Sequence, residues 1–243
     1  MTSWQRTVSA LALAMAFGSA VHAQLVIGQT AGFTGPAAPS VQEMTAGAKL
    51  YIDAVNARGG VNGQKIELIS MDDKFDPQLA AKNARQLITE KNVLALFLNR
   101  GTPHTEAIIP LLDQYGVPLV APSTGAMVLH QPVRKYVFNV RATYQREAEK
   151  AITYLASMGI TRIAVVYTDD SFGTDGLAGA NTGLAAAKLE PVVLEKFDRA
   201  KPDFSAIAPK LVTAQAQAVL LIASSGATVE GYKAFRAAGS GAQ

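Results

Sequence analysis

Short apolar runs alternate along this chain with stretches whose apolar residues recur every three or four positions. In residues 41–58 the recurring positions have the spacing of one helix face: Val41, Met44, Ala48, Tyr51 and Val55. Runs such as 93–98 are apolar at consecutive positions, which is typical of strands buried on both faces of a parallel sheet. The pattern therefore predicts an α/β protein whose parallel sheets are flanked by helices.

The alternation forms two similar units in tandem. Predicted strands cover 25–29, 65–71, 93–98, 118–121, 162–168, 191–197 and 218–223. Predicted helices cover 41–58, 77–91, 103–115, 144–158, 174–188, 203–213 and 227–238. The rhythm breaks between 130 and 143, and we interpret the lone extended run 136–140 as the crossing between lobes. We therefore expect a first lobe at 24–140 and a second at 141–243, the second incomplete at its C-terminus because it has only three strands.

The first 23 residues have the features of a secretory signal peptide. Arg6 is the only charged residue before Glu43, and an apolar run follows it at 8–17. Small residues come next and end in Val21-His22-Ala23. A membrane anchor would need about twenty apolar residues. We therefore predict export, with cleavage after Ala23.

Composition argues against several functional classes. The formal net charge is +3, and the basic residues are scattered rather than clustered, which disfavours nucleic acid as a partner. The chain has no cysteine, so its stability must come from core burial. No residue cluster has metal-ligand spacing, and neither a G-x-S-x-G elbow nor a P-loop is present. We expect no catalytic residue, metal or cofactor. A Rossmann-type oxidoreductase is the remote alternative, although Gly28, Gly32 and Gly35 do not form G-x-G-x-x-G.

Candidate ligand-binding residues follow the predicted strands, because ligands of open parallel sheets bind at the carboxyl ends of the strands. Thr102 is a candidate N-cap with Pro103 at the first helical position, and free amides at 104 and 105 would face the crevice. Ser123 and Thr124 precede a short helical turn in the same way. Helix N-termini of this kind bind carboxylates or phosphates. The alternative is that both are ordinary caps.

Phe172 is an aromatic residue in a loop that follows a predicted strand of the second lobe. It could stack on a ligand or simply plug the start of the next helix. Acidic residues at 72, 73 and 76 lack the spacing of a calcium loop. A solvated loop with an N-cap is the simpler interpretation of that cluster.

Several segments closely resemble the branched-chain amino-acid (Leu/Ile/Val) binding proteins of ABC transporters. Residues 47–77 carry the distinctive A-x-N-A-R-G-G-V-N-G turn followed by D-D-x-x-D-P. Further similar segments lie at 116–126, 135–141, 163–173, 201–211 and 232–239. The resemblance implies a type I periplasmic binding fold, in which two lobes close around a ligand by hinge rotation.

The same resemblance implies a site and partners. In the first lobe it assigns ligand contacts to Thr102 and to the segment Ser123, Thr124 and Gly125. In the second lobe it assigns an aromatic contact to Phe172 and a further contact near Ser224. The acidic residue that meets the amino group of an amino-acid ligand would lie past Gln243. The implied partners are a small ligand and an inner-membrane ABC permease, and we expect a periplasmic monomer.

The ligand class follows only in outline. We expect a small carboxylate with an apolar or aromatic body, and a branched-chain or other hydrophobic amino acid is favoured. Aromatic acids or amides are the alternative ligands. A ligand-sensing receptor without a transport role is the alternative function.

Overall fold

The computed structural model of the protein describes residues 24–243, so the predicted signal peptide lies outside the described residues. The first of two sheets is five-stranded and wholly parallel, in the order β2-β1-β3-β4-β5. Its strands are β1 (Leu25–Ala31), β2 (Ile66–Asp72), β3 (Ala95–Phe97), β4 (Leu119–Val120) and β5 (Val137–Phe138). Its helices are α1 (Ala38–Ala57), α2 (Pro77–Thr89) and α3 (Thr102–Tyr115). This unit is the first lobe.

The second lobe is built on a three-stranded parallel sheet in the order β7-β6-β8. Its strands are β6 (Ile163–Thr168), β7 (Val193–Phe197) and β8 (Ala218–Ile222). Its helices are α4 (Tyr144–Ser157), α5 (Ser171–Ala187), α6 (Ala208–Thr213) and α7 (Ser225–Ala237). Within residues 24–243, no helix combines the length and apolar character needed to cross a membrane. The predicted α/β class, with two parallel-sheet lobes, is confirmed.

Local sequence explains where α2 begins. Asp76 caps α2, because its carboxylate accepts hydrogen bonds from the amides of Gln78 at 2.7 Å and Leu79 at 3.0 Å. Pro77 fills the first helical position, where its missing N–H costs nothing. These contacts explain why the helix starts at the predicted residue.

Buried apolar side chains form the cores between sheets and helices. In the first lobe they come from α2, α3 and the strands beneath them, with Leu87, Leu96, Ile108 and Leu119 almost fully buried. In the second lobe the first four residues of β6 are apolar, and they contribute alternately to a separate cluster on each face of the sheet. Burial on both faces explains the consecutive apolar residues of this strand.

Two predicted elements are corrected by the structure. The run 136–140 is not a lone crossing segment, because β5 pairs in parallel with β4 and forms the edge of the first sheet. The helix predicted at 203–213 is shorter, since α6 begins only at Ala208. The preceding turn instead directs Phe204 and Ile207 into the core, where both are buried. Apolar spacing alone did not distinguish this buried turn from a helix.

Candidate functional site

A cavity lies between the lobes at the carboxyl ends of their strands. Its cavity volume is only about 40 Å³, and the empty space reaches about 330 Å³ when the open solvent at its mouth is included. The first lobe contributes Phe75, Arg100, Gly101, Thr102 and Ser123 to its wall, and the second contributes Tyr144, Phe172, Arg199, Ala223 and Ser224. Four of the six predicted ligand-binding residues therefore line this cavity: Thr102, Ser123, Phe172 and Ser224.

The expected capping role of Thr102 is wrong. The N-cap is Gly101, whose φ of 103° lies in a region that favours glycine, and Thr102 is the first helical residue. Of the two amides expected to face the crevice, that of Thr105 instead donates to the carbonyl of Gly101 at 3.0 Å. The Thr102 hydroxyl lies 2.8 Å from that of Thr124, and both side chains are buried. This hydroxyl pair ties the start of α3 to the loop after β4.

Ser123 is placed by the loop after β3 rather than by a helix. Its amide donates to the carbonyl of Asn99 at 2.7 Å, and its backbone forms a parallel bridge with Arg100. The guanidinium of Arg100 approaches its hydroxyl at 3.4 Å. The short helix at 127–129 begins after Ala126 without a side-chain cap. The expectation that Ser123 and Thr124 cap this turn is therefore wrong.

Thr124 and Gly125 do not line the cavity. Thr124 is buried beneath the wall, where its hydroxyl meets that of Thr102. Gly125 lies against the chain that crosses to the second lobe, because its carbonyl accepts from the amide of Tyr144 at 2.8 Å. A Cβ at Gly125 would lie 2.4 Å from the carbonyl oxygen of Ala142, so only glycine allows this approach. Both residues support the site from behind.

Phe172 and Ser224 lie at two helix starts of the second lobe. Phe172 is the second residue of α5, and its amide donates to the capping carboxylate of Asp170 at 3.0 Å. Its ring meets that of Tyr144 edge to face, with centroids 5.0 Å apart. Ser224 is the N-cap residue of α7, but its hydroxyl makes no capping hydrogen bond. That hydroxyl remains available to the cavity.

Sequence reasoning did not identify six of the ten lining residues, and four of these have large side chains: Phe75, Arg100, Tyr144 and Arg199. Arg199 lies between the lobes, with its guanidinium carbon 5.1 Å from the ring centroid of Phe75 and 5.4 Å from that of Phe172. It also forms an ion pair with Asp170 that is largely shielded from solvent. Their position along the chain could have identified them, since each of the four lies in or beside a loop that leads to the crevice at the strand ends.

Polar contacts hold the lobes together around the cavity. The hydroxyl of Ser171 in α5 donates to the carboxylate of Glu106 in α3 at 2.6 Å. The carboxylate of Asp175 accepts from the amide of Met127 at 3.2 Å and from the side chain of Gln145 at 3.0 Å. The two lobes are therefore in direct contact beside the cavity.

Two titratable groups are buried behind the first-lobe wall. Burial raises the pKa of Asp73 to about 6, although its carboxylate accepts hydrogen bonds from the Phe75 amide and the Thr30 hydroxyl. Burial lowers the pKa of His104 to about 4. The His104 ring stacks on that of Phe75 with centroids 4.5 Å apart. Neutral His104 therefore supports Phe75 as an apolar surface.

The arrangement combines hydroxyl groups, a helix N-terminus and guanidinium groups with three aromatic rings. Hydroxyls, free helix amides and cations are the groups that bind carboxylates in proteins. Among residues 24–243, no group of three or more histidine, cysteine or acidic side chains could hold a metal ion. The geometry of the described cavity suits a small anion with an apolar body.

Comparison with solved structures and curated proteins gives relatives of one kind. A substrate-binding periplasmic protein from Ralstonia solanacearum is 32% identical, with a TM-score of 0.85 over 90% of this chain and 62% of that one. A solute-binding protein of an ABC transporter from Rhodopseudomonas palustris BisB5, in complex with 3,4-dihydroxybenzoic acid, is 25% identical, with a TM-score of 0.80 over 89% of this chain and 59% of that one.

A curated protein from Brucella melitensis, "Leu/Ile/Val-binding protein homolog 3", is 29% identical over 86% of this chain and 57% of its own length. The chain thus spans less than two thirds of each of these three relatives. The sequence profile of a family described as "Periplasmic binding protein" matches residues 24–243. The chain therefore belongs to the periplasmic binding protein family.

Proposed function

We propose that this chain is the periplasmic substrate-binding component of an ABC transporter and captures a small carboxylate with an apolar or aromatic body. The observation that carries the proposal is the cavity between the lobes, to which each lobe contributes five lining residues. A ligand held there contacts both lobes at once, so that binding and closure are coupled. This is the property that a capture-and-release protein requires.

The first lobe supplies the carboxylate contacts in this proposal. The first amides of a helix have no intrahelical partner, and α3 begins at the cavity with Thr102. Thr102, Ser123 and Arg100 all line the cavity, and the guanidinium of Arg100 lies 3.4 Å from the Ser123 hydroxyl. Thr124 and Gly125 act through these neighbours rather than by direct contact.

The second lobe supplies apolar contacts. Phe172 and Tyr144 present aromatic surface opposite Phe75 of the first lobe. Aromatic rings bury large areas with few rotatable bonds, which suits recognition of a flat or branched hydrocarbon body. The hydroxyl of Ser224 provides a polar contact at the far side of the cavity.

The named ligands of the relatives support the choice of a carboxylate. The Brucella protein is named for leucine, isoleucine and valine, and the Rhodopseudomonas protein was solved with 3,4-dihydroxybenzoic acid. These ligands differ in their bodies and in the presence of an amino group. They share a carboxylate, so the proposal commits to that group.

Isothermal titration with leucine, valine, phenylalanine and benzoate tests the proposal. We expect saturable binding of at least one of them. The substitutions Thr102→Ala and Ser123→Ala should each weaken it by about 1.5–3 kcal/mol, the value of a hydrogen bond to a charged group. Thr182→Ala removes an exposed hydroxyl on α5 and is the matched control. Absence of heat with all four compounds, or unchanged affinity in the Thr102/Ser123 double variant, would contradict the proposal.

A further inference from the structure

Arg199 lies between two aromatic rings that belong to different lobes. Its guanidinium carbon is 5.1 Å from the ring centroid of Phe75, which follows β2, and 5.4 Å from that of Phe172 in α5. Both distances are within the roughly 6 Å at which a cation and an aromatic ring attract each other. Arg199 itself follows β7 of the second lobe, so its contact with Phe75 crosses from one lobe to the other.

The second lobe fixes the position of Arg199. Its Nε donates to one carboxylate oxygen of Asp170, and the two side chains are only 17% and 18% exposed. The other oxygen of Asp170 accepts from the amides of Phe172 at 3.0 Å and Gly173 at 3.1 Å, in the first turn of α5. One carboxylate therefore holds both the start of the helix and the guanidinium, so the guanidinium must move with the second lobe.

The first lobe fixes the position of Phe75 through a turn of unusual conformation. Lys74 and Phe75 have positive φ angles of 52° and 62°, which are uncommon for residues other than glycine. The carboxylate of Asp72 accepts a hydrogen bond from the Lys74 amide at 2.9 Å, and that of Asp73 accepts from the next amide, also at 2.9 Å. The buried ring of His104 stacks on that of Phe75. The Phe75 ring is therefore held at the cavity by its own lobe.

We infer that Arg199 is a positioning residue, and that its contact with Phe75 stabilises the arrangement in which the two lobes meet around the ligand. The inference rests on the proposed function, in which binding requires the lobes to close. Because each partner is held by its own lobe, the contact is lost whenever the lobes separate. A contact made only when the lobes are together raises the affinity for any ligand that is held between them.

A pair of an arginine and an aromatic ring suits this role. The guanidinium is planar and weakly hydrated, so it covers a ring face at a smaller desolvation cost than a lysine ammonium. The ion pair with Asp170 supplies the opposite charge within the second lobe, whichever ligand is bound. The attraction between a cation and a ring is also modest, so it does not prevent the lobes from opening to release the ligand.

A double-mutant cycle measured by calorimetry tests the inference. The ligand is whichever of leucine, valine, phenylalanine and benzoate binds the parent most tightly. Phe75→Leu and Arg199→Met should each weaken its binding by about 3–10-fold, because either change removes the contact. The double variant should bind within about twofold of the weaker single variant, since the same contact can be lost only once. Phe75→Tyr keeps the ring and should stay within about twofold of the parent.

Arg236→Met is the matched control. The guanidinium carbon of Arg236 also lies 5.1 Å from a ring centroid, that of Tyr232, but both residues are exposed on α7 within the second lobe. This variant should not change the affinity. Phe75→Leu leaves the ion pair of Asp170 intact, so it tests the contact even if Arg199→Met does not fold.

The outcomes separate this inference from the proposed function. Unchanged affinity in Phe75→Leu, or two losses that multiply in the double variant, overturns the inference and leaves the proposed function standing. Multiplied losses are the result expected if each side chain only contacts the ligand independently. Phe75→Tyr that binds as weakly as Phe75→Leu also overturns the inference. If none of the four compounds binds the parent, the proposed function fails and the inference with it.

Discussion

The contact between α4 and α5 permits a prediction whose size follows from the structure. Gly179 of α5 faces the first turn of α4, and a Cβ built there would lie 2.2 Å from the carbonyl oxygen of Gln145 and 2.4 Å from its Cα. These are backbone atoms, which cannot rotate away. Gly179→Ala should therefore force the two helices apart by roughly 1 Å, because atoms in a packed interior have little free space around them.

The expected cost has two opposing parts. Overpacking of this kind lowers the free energy of unfolding by about 1–3 kcal/mol. Alanine is favoured over glycine within a helix by about 1 kcal/mol, which offsets part of the loss. Because both close contacts of Gly179 are with backbone atoms, we expect the upper part of the overpacking range, about 2–3 kcal/mol. The net loss is then about 1–2 kcal/mol, which corresponds to a fall in unfolding temperature of about 2–8 °C in a chain of this size.

Gly47→Ala is the matched control. Gly47 lies on the exposed side of α1, and a Cβ there would have no neighbour within 4 Å. This substitution should raise the free energy of unfolding by about 0.5–1 kcal/mol through helix propensity alone. Urea unfolding followed by circular dichroism at 222 nm measures both variants. The reasoning is refuted if Gly179→Ala is as stable as the parent while Gly47→Ala shows the expected gain.

Three other outcomes can be measured on the same protein. Thr102→Val should lower the free energy of unfolding by about 1–3 kcal/mol, because the buried hydroxyl of Thr124 then keeps only the long hydrogen bond of 3.4 Å from the Ala126 amide. Adding Thr124→Val should recover part of the loss in a double-mutant cycle, and simple additivity would contradict this. Folding raises the pKa of Asp73 from 3.8 to about 6, so its contribution makes the free energy of unfolding fall as pH rises between these values. Folding lowers the pKa of His104 from 6.5 to about 4, so its contribution makes the free energy of unfolding rise with pH over that range. Urea unfolding of Asp73→Asn from pH 4 to 7 should thus show a steeper rise than the parent, and equal slopes would contradict it. Ser171→Ala removes a hydrogen bond between the lobes and so destabilises the closed state in which the ligand is held. Ligand affinity measured by calorimetry should fall by about 2–10-fold. Unchanged affinity would show that this contact does not hold the lobes together.

Much of the fold could be predicted because its determinants are local. The Asp76-Pro77 pair determines the start of α2, and the consecutive apolar residues of β6 indicate a strand buried on both faces. The role of β5 could not be predicted in this way. Its two residues pair with β4, and that partner is set by the path of the chain in space rather than by the spacing of residues along it.

The candidate site was predictable in location but not in detail. The rule that ligands bind at strand ends led to Thr102 and Ser123, which the structure places on one cavity wall. The capping role of Thr102 was wrong because Gly101 adopts the positive φ that starts the helix one residue earlier than expected. The role of Arg199 could not be predicted, because its contacts with Asp170 and Phe75 join residues far apart in sequence.

The positive charges beside the cavity also affect how readily the lobes close. Burial lowers the pKa of Arg100 in the first lobe, and the positive charges of Arg141 and Arg199 in the second lobe also lower it, so contact between the lobes places like charges near one another. The hydrogen bond from Ser171 to Glu106 also joins the two lobes. In the proposed function, a carboxylate bound in the cavity would offset part of this repulsion, so we expect it to bind the closed state better than the open one. Because a ligand shifts a conformational equilibrium only by its difference in affinity for the two states, this pairing is a physical basis for closure that depends on the ligand.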